Sequence, residues 1–443
     1  MTEEQPDRRQ SGFKDKTRVG EARERLLDAV APHDRTEEVR LASADGRLLA
    51  EAVVAARDVP HYPRAAMDGY AVRAADTFGA SDRSPEVLRN AGGPAGTDEG
   101  DGPNEVPPNG AVRVHTGSEL PAGADAVVMI EQVDEFGDGE AHRASGASGE
   151  AVSDVEIFDA VAEGENVAPV GEDVESGQHL YDPGHRLRPS DLGLLKSVGV
   201  DTVTVREQPT VGVIPTGEEL VQSDPGPGEV VETNGLTVSN YVERWGGSAT
   251  YRDVVTDDRD ALRAAIQRDL TKDVVVTTGG SSVGERDLLP EVVADLGEIL
   301  FHGVALKPGH PVAVGVVEET PVVMLPGYPV ACIINAVQFL RPALKEVGGL
   351  PHQSFPTTEA RLARKIRSEP GIRTFARVQL DESGREEDAS GDEPGATATP
   401  TRASGSGVLS SVALADGWVE VPEEREGIPE GEVVDVQDWE WSA

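Results

Sequence analysis

The first run with helical periodicity, GEARERLLDAVAP, puts Ala22, Leu26, Leu27 and Val30 on one face and charged residues on the other. That spacing predicts an amphipathic helix, which Pro32 ends. Residues 1–16 ahead of it are polar and aperiodic and are expected to form a disordered tail. Short strand-like segments follow, separated by GGPAGTDEGDGPNE and DEFGDGEAHRASGASGE, acid- and glycine-rich stretches that read as solvated loops. From Pro209 the pattern changes: the apolar runs VGVIPT, ATYRDVVT and DVVVTTGG alternate with GLTVSNYVERWGG, DRDALRAAIQRDL and LLPEVVADLG, which have helical spacing. Such alternation predicts a parallel-rich sheet with helices on both faces. It continues through EILFHGVAL, PVAVGVVEE and TPVVMLPGYP into a helix around Cys332 and ends near Gly349. Short strands, glycine-rich turns and the acidic stretch ESGREEDASGDEPGATATPTRASGSG then predict a small terminal β domain.

Composition adds scale and setting. A chain of 443 residues is too long for one core, so a multidomain, mixed α/β protein is expected. Aromatic residues make up 4%, so the cores must rest on Val, Leu, Ala and Ile. Eighty acidic against forty basic residues give a net charge of −40, and only seven of the basic residues are lysines. Self-repulsion of that size is relieved in molar salt, where the screening length falls to about 3 Å, so the composition reads as halophilic. The fold is therefore expected to be lost as KCl is lowered from molar to tenth-molar levels; a melting temperature unchanged across that range would contradict the halophilic reading. No basic stripe is present, which disfavours nucleic acid as a partner. Cys332, inside VACIINAVQFL, reads as a small buried hydrophobe, and one cysteine allows no disulfide framework. With no apolar leader-type segment and no run approaching eighteen apolar residues, a cytoplasmic protein without a membrane partner is expected.

In an open α/β sheet ligands bind beyond the carboxyl ends of the strands, which directs attention to four turns. PTGEEL, residues 215–220, offers Thr216, Gly217 and the carboxylates Glu218 and Glu219. ETNG, residues 232–235, precedes a helix that Thr233 or Asn234 is suited to cap. TTGGSSVGERD, from Thr277 to Asp287, follows a strand and carries amides and hydroxyls suited to a phosphate or pyrophosphate. It is neither a Walker loop nor a dinucleotide fingerprint, and the same pattern also describes a tight flexible turn. The fourth region joins LKPGHP, residues 306–311, to LPGYP, residues 325–329; its Lys307 is a point donor for an anion. Outside this domain, Asp68 of RAAMDGYAVR has the default reading of a turn aspartate.

Together these segments resemble a known family. AMDGYAVR, HTGSELPAGADAVVMIEQV, GEDV, PTGEEL, ETNG, TTGGSSVGERD, ALKPGHP, LPGYPV and GSGVLSSVALADGWVEVP, in this order, are similar to the molybdopterin molybdenumtransferase family, MoeA of bacteria and archaea and the E domain of gephyrin. The resemblance implies, after the tail, a segmented N-terminal domain of residues 17–57 plus 160–208, a β-rich second domain at 58–159, a MogA-like pterin-binding α/β domain at 209–349, and a C-terminal β barrel at 350–443. It further implies an elongated homodimer whose active site is shared between subunits, and an adenylyltransferase of MogA or MoaB type as a partner. The composition adds a halophilic, archaeon-like character.

The implied reaction takes adenylylated molybdopterin and molybdate, or tungstate, and with Mg²⁺ releases AMP and the metal-loaded pterin. On this resemblance Asp68, Glu219 and Asp287 are catalytic, and Glu219, Glu232 and Asp287 form the Mg²⁺ shell. Thr116, Thr216, Gly217, Gly279, Gly280, Ser281, Ser282, Gly284, Lys307, Pro326 and Gly327 bind the substrate, and Lys307, His310, Arg377 and Ser406 take the oxyanion. Three positions depart from the family pattern: His310 where KPGKP is common, Glu232 where an aspartate precedes TN, and Tyr328 where LPGNP is common. The alternatives are a molybdopterin adenylyltransferase and a non-catalytic scaffold of the same fold.

Overall fold

Helix α1 (Val19–Asp28) forms from the first periodic run and buries Ala22 and Leu26 completely. It is seen in a computed structural model that describes residues 16–92, 105–136, 154–280, 288–381, 395–401 and 405–441. Most of the two acid- and glycine-rich stretches of the first half lies outside the described residues. The chain divides into two units, one of residues 37–205 and the other of residues 1–36 with 206–443.

In the first unit, strands β1 (Gly69–Val72), β2 (Glu86–Asn90), β3 (Gly110–Val114), β4 (Ala126–Met129), β5 (Val133–Phe136) and β6 (Asp154–Ile157) form a sheet in the order β4-β1-β3-β2-β6-β5. Its pairings are antiparallel except that of β2 with β3. Successive strand residues point to opposite faces, so Tyr70 and Val72 of β1 enter one core while Ala71 enters another. Helix α2 (Pro189–Ser197) adds Leu195 to a separate cluster with Leu49, Leu187, Val203 and Val205.

In the second unit, β7 (Thr210–Pro215), β8 (Ser248–Tyr251), β9 (Val274–Thr278), β10 (Glu298–His302), β11 (Ala313–Val317) and β12 (Thr320–Leu325) run in the order β8-β7-β9-β12-β11-β10. The first four are parallel and the last two antiparallel to their neighbours. The uncharged run at Val274–Val276 is explained by burial on both sides. Val274 and Val276 face a core with α3 (Asn234–Arg244) and α6 (Pro329–Asn335). Val275 faces one with α4 (Arg259–Asp269) and α5 (Leu289–Leu296). Helix α6 continues through a π-helical turn, Ala336–Leu340, into α7 (Arg341–Val347). The stripe of α1 belongs to the α3–α6 core, and its Arg23 donates to the carbonyl and side chain of Gln338 in the π turn. Cys332 lies in the same core, and burial pushes its thiol far above the ordinary range.

Strands β13 (Thr357–Leu362), β14 (Arg373–Asp381), β15 (Thr397–Pro400), β16 (Gly417–Val421) and β17 (Val433–Gln437) close into a five-stranded barrel, β16 returning to β14. Closure removes the strand edges that a sheet this small would otherwise expose. Ala360, Leu362, Val378, Val419 and Val436 fill its interior. Phe375, Trp418 and Trp439 instead belong to the α3–α6 core, with the two indoles stacked at 4.5 Å between centroids. The barrel and the α/β layer therefore share one apolar core.

Candidate functional site

The parallel register sets the site. Pro215 pairs with Thr278 and Thr278 with Leu325, so β7, β9 and β12 end level and deliver Thr216, Gly279 and Pro326 side by side. Gly279 donates its N–H to the Leu325 carbonyl at 3.0 Å and has φ +135°. A Cβ there would lie 2.2 Å from the Thr216 carbonyl oxygen, and at Gly280 (φ +62°) it would lie 3.2 Å from the Thr216 hydroxyl. Gly327 approaches the same point, its missing Cβ 3.6 Å from the Gly279 Cα. The closest of these approaches, at 279, requires glycine. Beneath them the Thr216 hydroxyl is buried without a hydrogen-bond partner, as are those of Thr277 and Thr278 at the same end of β9. A buried hydroxyl left unpaired costs about 1–3 kcal/mol, so the sheet end carries unused hydrogen-bonding capacity that oxygens of a ligand can satisfy.

Carboxylates flank this floor. Glu219 folds back so that both its oxygens lie 2.9 Å from the place a Gly217 Cβ would take. Asp257, on the turn before α4, is pushed upward in pKa by its burial and then by the charges of Glu219 and Glu218. In the sequence Asp257 is masked by its neighbour, because an acid directly before a helix has the ordinary role of a cap. Asp258 is that cap, accepting from the amides of Asp260 and Ala261, and the second acid was the available signal.

Glu232 is 6% exposed, with Oε1 accepting from the Gly235 amide at 2.6 Å and Oε2 from the Tyr251 hydroxyl. Burial, and then Glu232, push that hydroxyl up to about 12. The capping expected of Thr233 or Asn234 thus falls to Glu232: Thr233 makes no side-chain cap bond, and Asn234 donates to the Gly327 carbonyl at 2.7 Å.

The loop with Lys307 is fixed from two sides. The short strand Leu306–Lys307 pairs with Arg373 and Thr374 of β14, and Gly309 (φ +116°) is held by Asn335. Asn335 is buried and donates to the carbonyls of Gly309 at 2.9 Å and Ala331 at 2.8 Å. The approach needs glycine, because a Cβ at 309 would fall 2.2 Å from the Asn335 Nδ2. Asn335→Ala is expected to cost about 1–3 kcal/mol and to speed amide exchange in residues 306–311 while leaving the barrel unchanged. Parent-like exchange in that segment would show that Asn335 does not hold the loop.

The remaining expected residues are placed as follows. The Lys307 ammonium is 2.9 Å from Glu369, whose carboxyl it holds below the usual range. Burial, and then nearby Lys16, hold His310 below the ordinary imidazole value, which favours its neutral form. Arg377 is 6% exposed in β14 and its guanidinium reaches the Phe375 carbonyl and the Ser411 hydroxyl, both at 3.4 Å. The Ser406 carbonyl accepts from Val330 at 3.0 Å, tying the barrel to α6. Ser281, Ser282, Gly284 and Asp287 lie outside the described residues. Asp68 and Thr116 belong to the other unit, where Asp68 Oδ1 accepts from the Thr116 amide at 2.6 Å and its hydroxyl at 2.8 Å. These two bonds hold the Asp68 carboxyl below its usual range, which suits orienting a donor better than abstracting a proton. Among the described residues, no group of three or more His, Cys, Asp or Glu is arranged to hold a metal ion, and no helix is long and apolar enough to cross a membrane.

Comparison with known proteins extends this picture. Three family models match the chain: the MoeA N-terminal region (domain I and II) over residues 17–199, a probable molybdopterin binding domain over 212–346, and the MoeA C-terminal region (domain IV) over 359–439. The chain is 34% identical over 427 residues to a putative molybdopterin biosynthesis protein of Methanocaldococcus jannaschii, with 93% of this chain and 94% of the other aligned. It is 31% identical over 424 residues to the molybdopterin molybdenumtransferase of Bacillus subtilis, with 92% of each aligned. The crystal structure of a molybdopterin biosynthesis MoeA protein from Pyrococcus horikoshii is similar with a TM-score of 0.74 at 33% identity, over 96% of this chain and 99% of that one.

Proposed function

This chain belongs to the MoeA family, and from that footing we propose that it is a molybdopterin molybdenumtransferase that inserts molybdate, or tungstate, into adenylylated molybdopterin with release of AMP. The observation that carries the reading is the glycine floor over the unpartnered Thr216 hydroxyl at the level ends of three parallel strands. Thr216 and the backbone around Gly217, Gly279 and Gly280, with Ser281, Ser282 and Gly284, bind the pyrophosphate oxygens; Pro326 and Gly327 wall the site.

Although no group of three ligands stands ready among the described residues, the carboxylates at the rim of the floor suit Mg²⁺, which needs only one or two of them. Burial, and then the charges of Glu219 and Glu218, raise Asp257, and a divalent cation would relieve the electrostatic part of that rise. Mg²⁺ typically takes one or two carboxylates with phosphate and water, and Glu219 and Asp287, joined by Asp257, would hold it. Glu232 braces α3 behind them through Gly235 and Tyr251. When bound, the ion supplies charge neutralisation on the phosphoryl oxygens. Lys307 exchanges its exposed Glu369 partner for the oxyanion, a modest loss because surface pairs contribute about 0–1 kcal/mol. His310 offers a neutral N–H, and Arg377 and Ser406 complete the oxyanion site. Asp68 and Thr116 come from the partner subunit of a homodimer, Asp68 orienting a donor at the reacting link. The adenylylated pterin is supplied in the cytoplasm by an adenylyltransferase of MogA or MoaB type.

The test is AMP release from adenylylated molybdopterin by the purified protein in molar KCl with Mg²⁺, with molybdate, with tungstate and with neither. Oxyanion-dependent release together with metal-loaded pterin supports the assignment and ranks the metals. Absence of release from folded protein under all three conditions would overturn it.

A further inference from the structure

We propose that Tyr328 is a stacking platform for a planar nitrogen heterocycle of the substrate, placed directly beside the phosphate floor. The inference rests on the phosphate-binding reading above. It starts from a contrast among the tyrosines. Tyr62, Tyr70, Tyr181, Tyr241 and Tyr251 each donate their hydroxyl to a carbonyl or carboxylate of the protein. Tyr328 instead is 65% exposed. Single exposed aromatic residues are common on protein surfaces, so exposure alone means little. Location and rigidity distinguish this one.

Tyr328 follows Gly327, the residue that closes on Gly279, and precedes Pro329, the first residue of α6. The backbone on both sides is immobilised. The Gly327 carbonyl accepts from Asn234, the Tyr328 carbonyl accepts from Cys332 at 2.8 Å, and Val330 donates to the Ser406 carbonyl. Gly407 lies close against one edge of the ring: a Cβ there would be 3.3 Å from Cδ1 and 3.6 Å from Cε1, so a larger residue would press on the ring. A large flat side chain, mostly exposed, is thus carried on a hydrogen-bonded backbone one residue from the anion floor, with one ring edge against Gly407. A ligand that carries phosphate next to a flat ring matches this layout, and an adenylylated pterin has such a ring at both ends. Stacking is indifferent to the hydroxyl and depends on the π face, so phenylalanine serves as well as tyrosine.

The experiment measures binding to the full-length protein in molar KCl by calorimetry, with AMP, a free pterin and inorganic pyrophosphate as separate probes. Tyr328→Ala is expected to weaken AMP or pterin roughly tenfold, within the range known for loss of one base–aromatic stack. Tyr328→Phe restores that affinity, and pyrophosphate binds equally to all three proteins. Whichever ring loses affinity is the one that stacks. Unchanged AMP and pterin binding by Tyr328→Ala, with pyrophosphate still bound, would overturn the inference and leave the phosphate floor standing. Failure of the parent protein to bind pyrophosphate would remove the floor itself, and the platform with it.

Discussion

Gly279→Ala is expected to weaken pyrophosphate binding by about a hundredfold, the scale on which an ångström of misplacement acts in a preorganised site. Two effects act together. The residue has φ +135°, where a side chain is strained, and its Cβ would lie 2.2 Å from a backbone oxygen, that of Thr216. Neither partner can give way without moving the end of β7 or β9. Gly280→Ala provides the contrast. At φ +62° a non-glycine residue is tolerated at moderate cost, and the near atom, 2.6 Å away, is the flexible tip of Leu289. Calorimetric titration of both variants separates the two cases: a large loss for alanine at 279 and a smaller one at 280. Binding within threefold of the parent at Gly279→Ala would mean that the three turns do not form the anion floor.

The largest stability effect is expected at the opposite side of the same strand. Asp269, the last residue of α4, has 0% exposure and accepts hydrogen bonds from Arg252, whose Nε reaches both carboxylate oxygens at 3.1 Å and whose Nη2 reaches Oδ1, and from Arg268 at 3.0 Å. It packs against Gly212 of β7, whose absent Cβ would be 3.0 Å away. Removing one partner of a buried pair leaves the other charge unpaired and typically costs about 3–5 kcal/mol; partial exposure of both arginines favours the lower end. Asp269→Ala is therefore expected to lower the melting temperature by about 6–12 °C and to leave pyrophosphate binding intact at permissive temperature. The effect persists in molar KCl because partly buried pairs are weakly screened. Burial alone would raise the Asp269 carboxyl, but the bonds from Arg252 and Arg268 outweigh it and hold it below its usual value. With a depressed folded-state value, the stabilisation is complete above the unfolded pKa of about 4 and is lost as the pH falls through the lower folded value. A thermal unfolding series that shows no difference between Asp269→Ala and the parent at pH 7 would refute this account.

Much of the α/β layer was legible because its strands are buried on both faces and its helices on one, so Val274–Val276 and the stripe of α4 carry opposite patterns. The turns were legible as well, since the site of such a sheet lies where glycines and hydroxyls follow the strands. Periodicity, however, says which residues share a face and not what covers it. It identified the stripe on α1 without its partner, and it grouped the barrel apart from the layer into which Phe375, Trp418 and Trp439 pack. Capping departs from the local pattern for a similar reason: Glu232 takes the role, with its second oxygen held by Tyr251, nineteen residues away in sequence. Asp257 was hidden by a neighbour that performs the ordinary task of an acid before a helix.

The shared core has a consequence for how the gene can be divided. A cut after Gly349 leaves every strand of the second unit's six-stranded sheet in one fragment, yet removes Phe375, Trp418 and Trp439 from the core that also holds Tyr241 of α3 and the adjoining Trp245. The barrel acts as a stopper for the layer, so the two pieces made separately each expose an adhesive apolar face and recover a native core only by finding one another. Folding of this unit would then become second order in concentration, which makes the boundary after Gly349 a place to split the protein into complementing halves and a poor place to trim it.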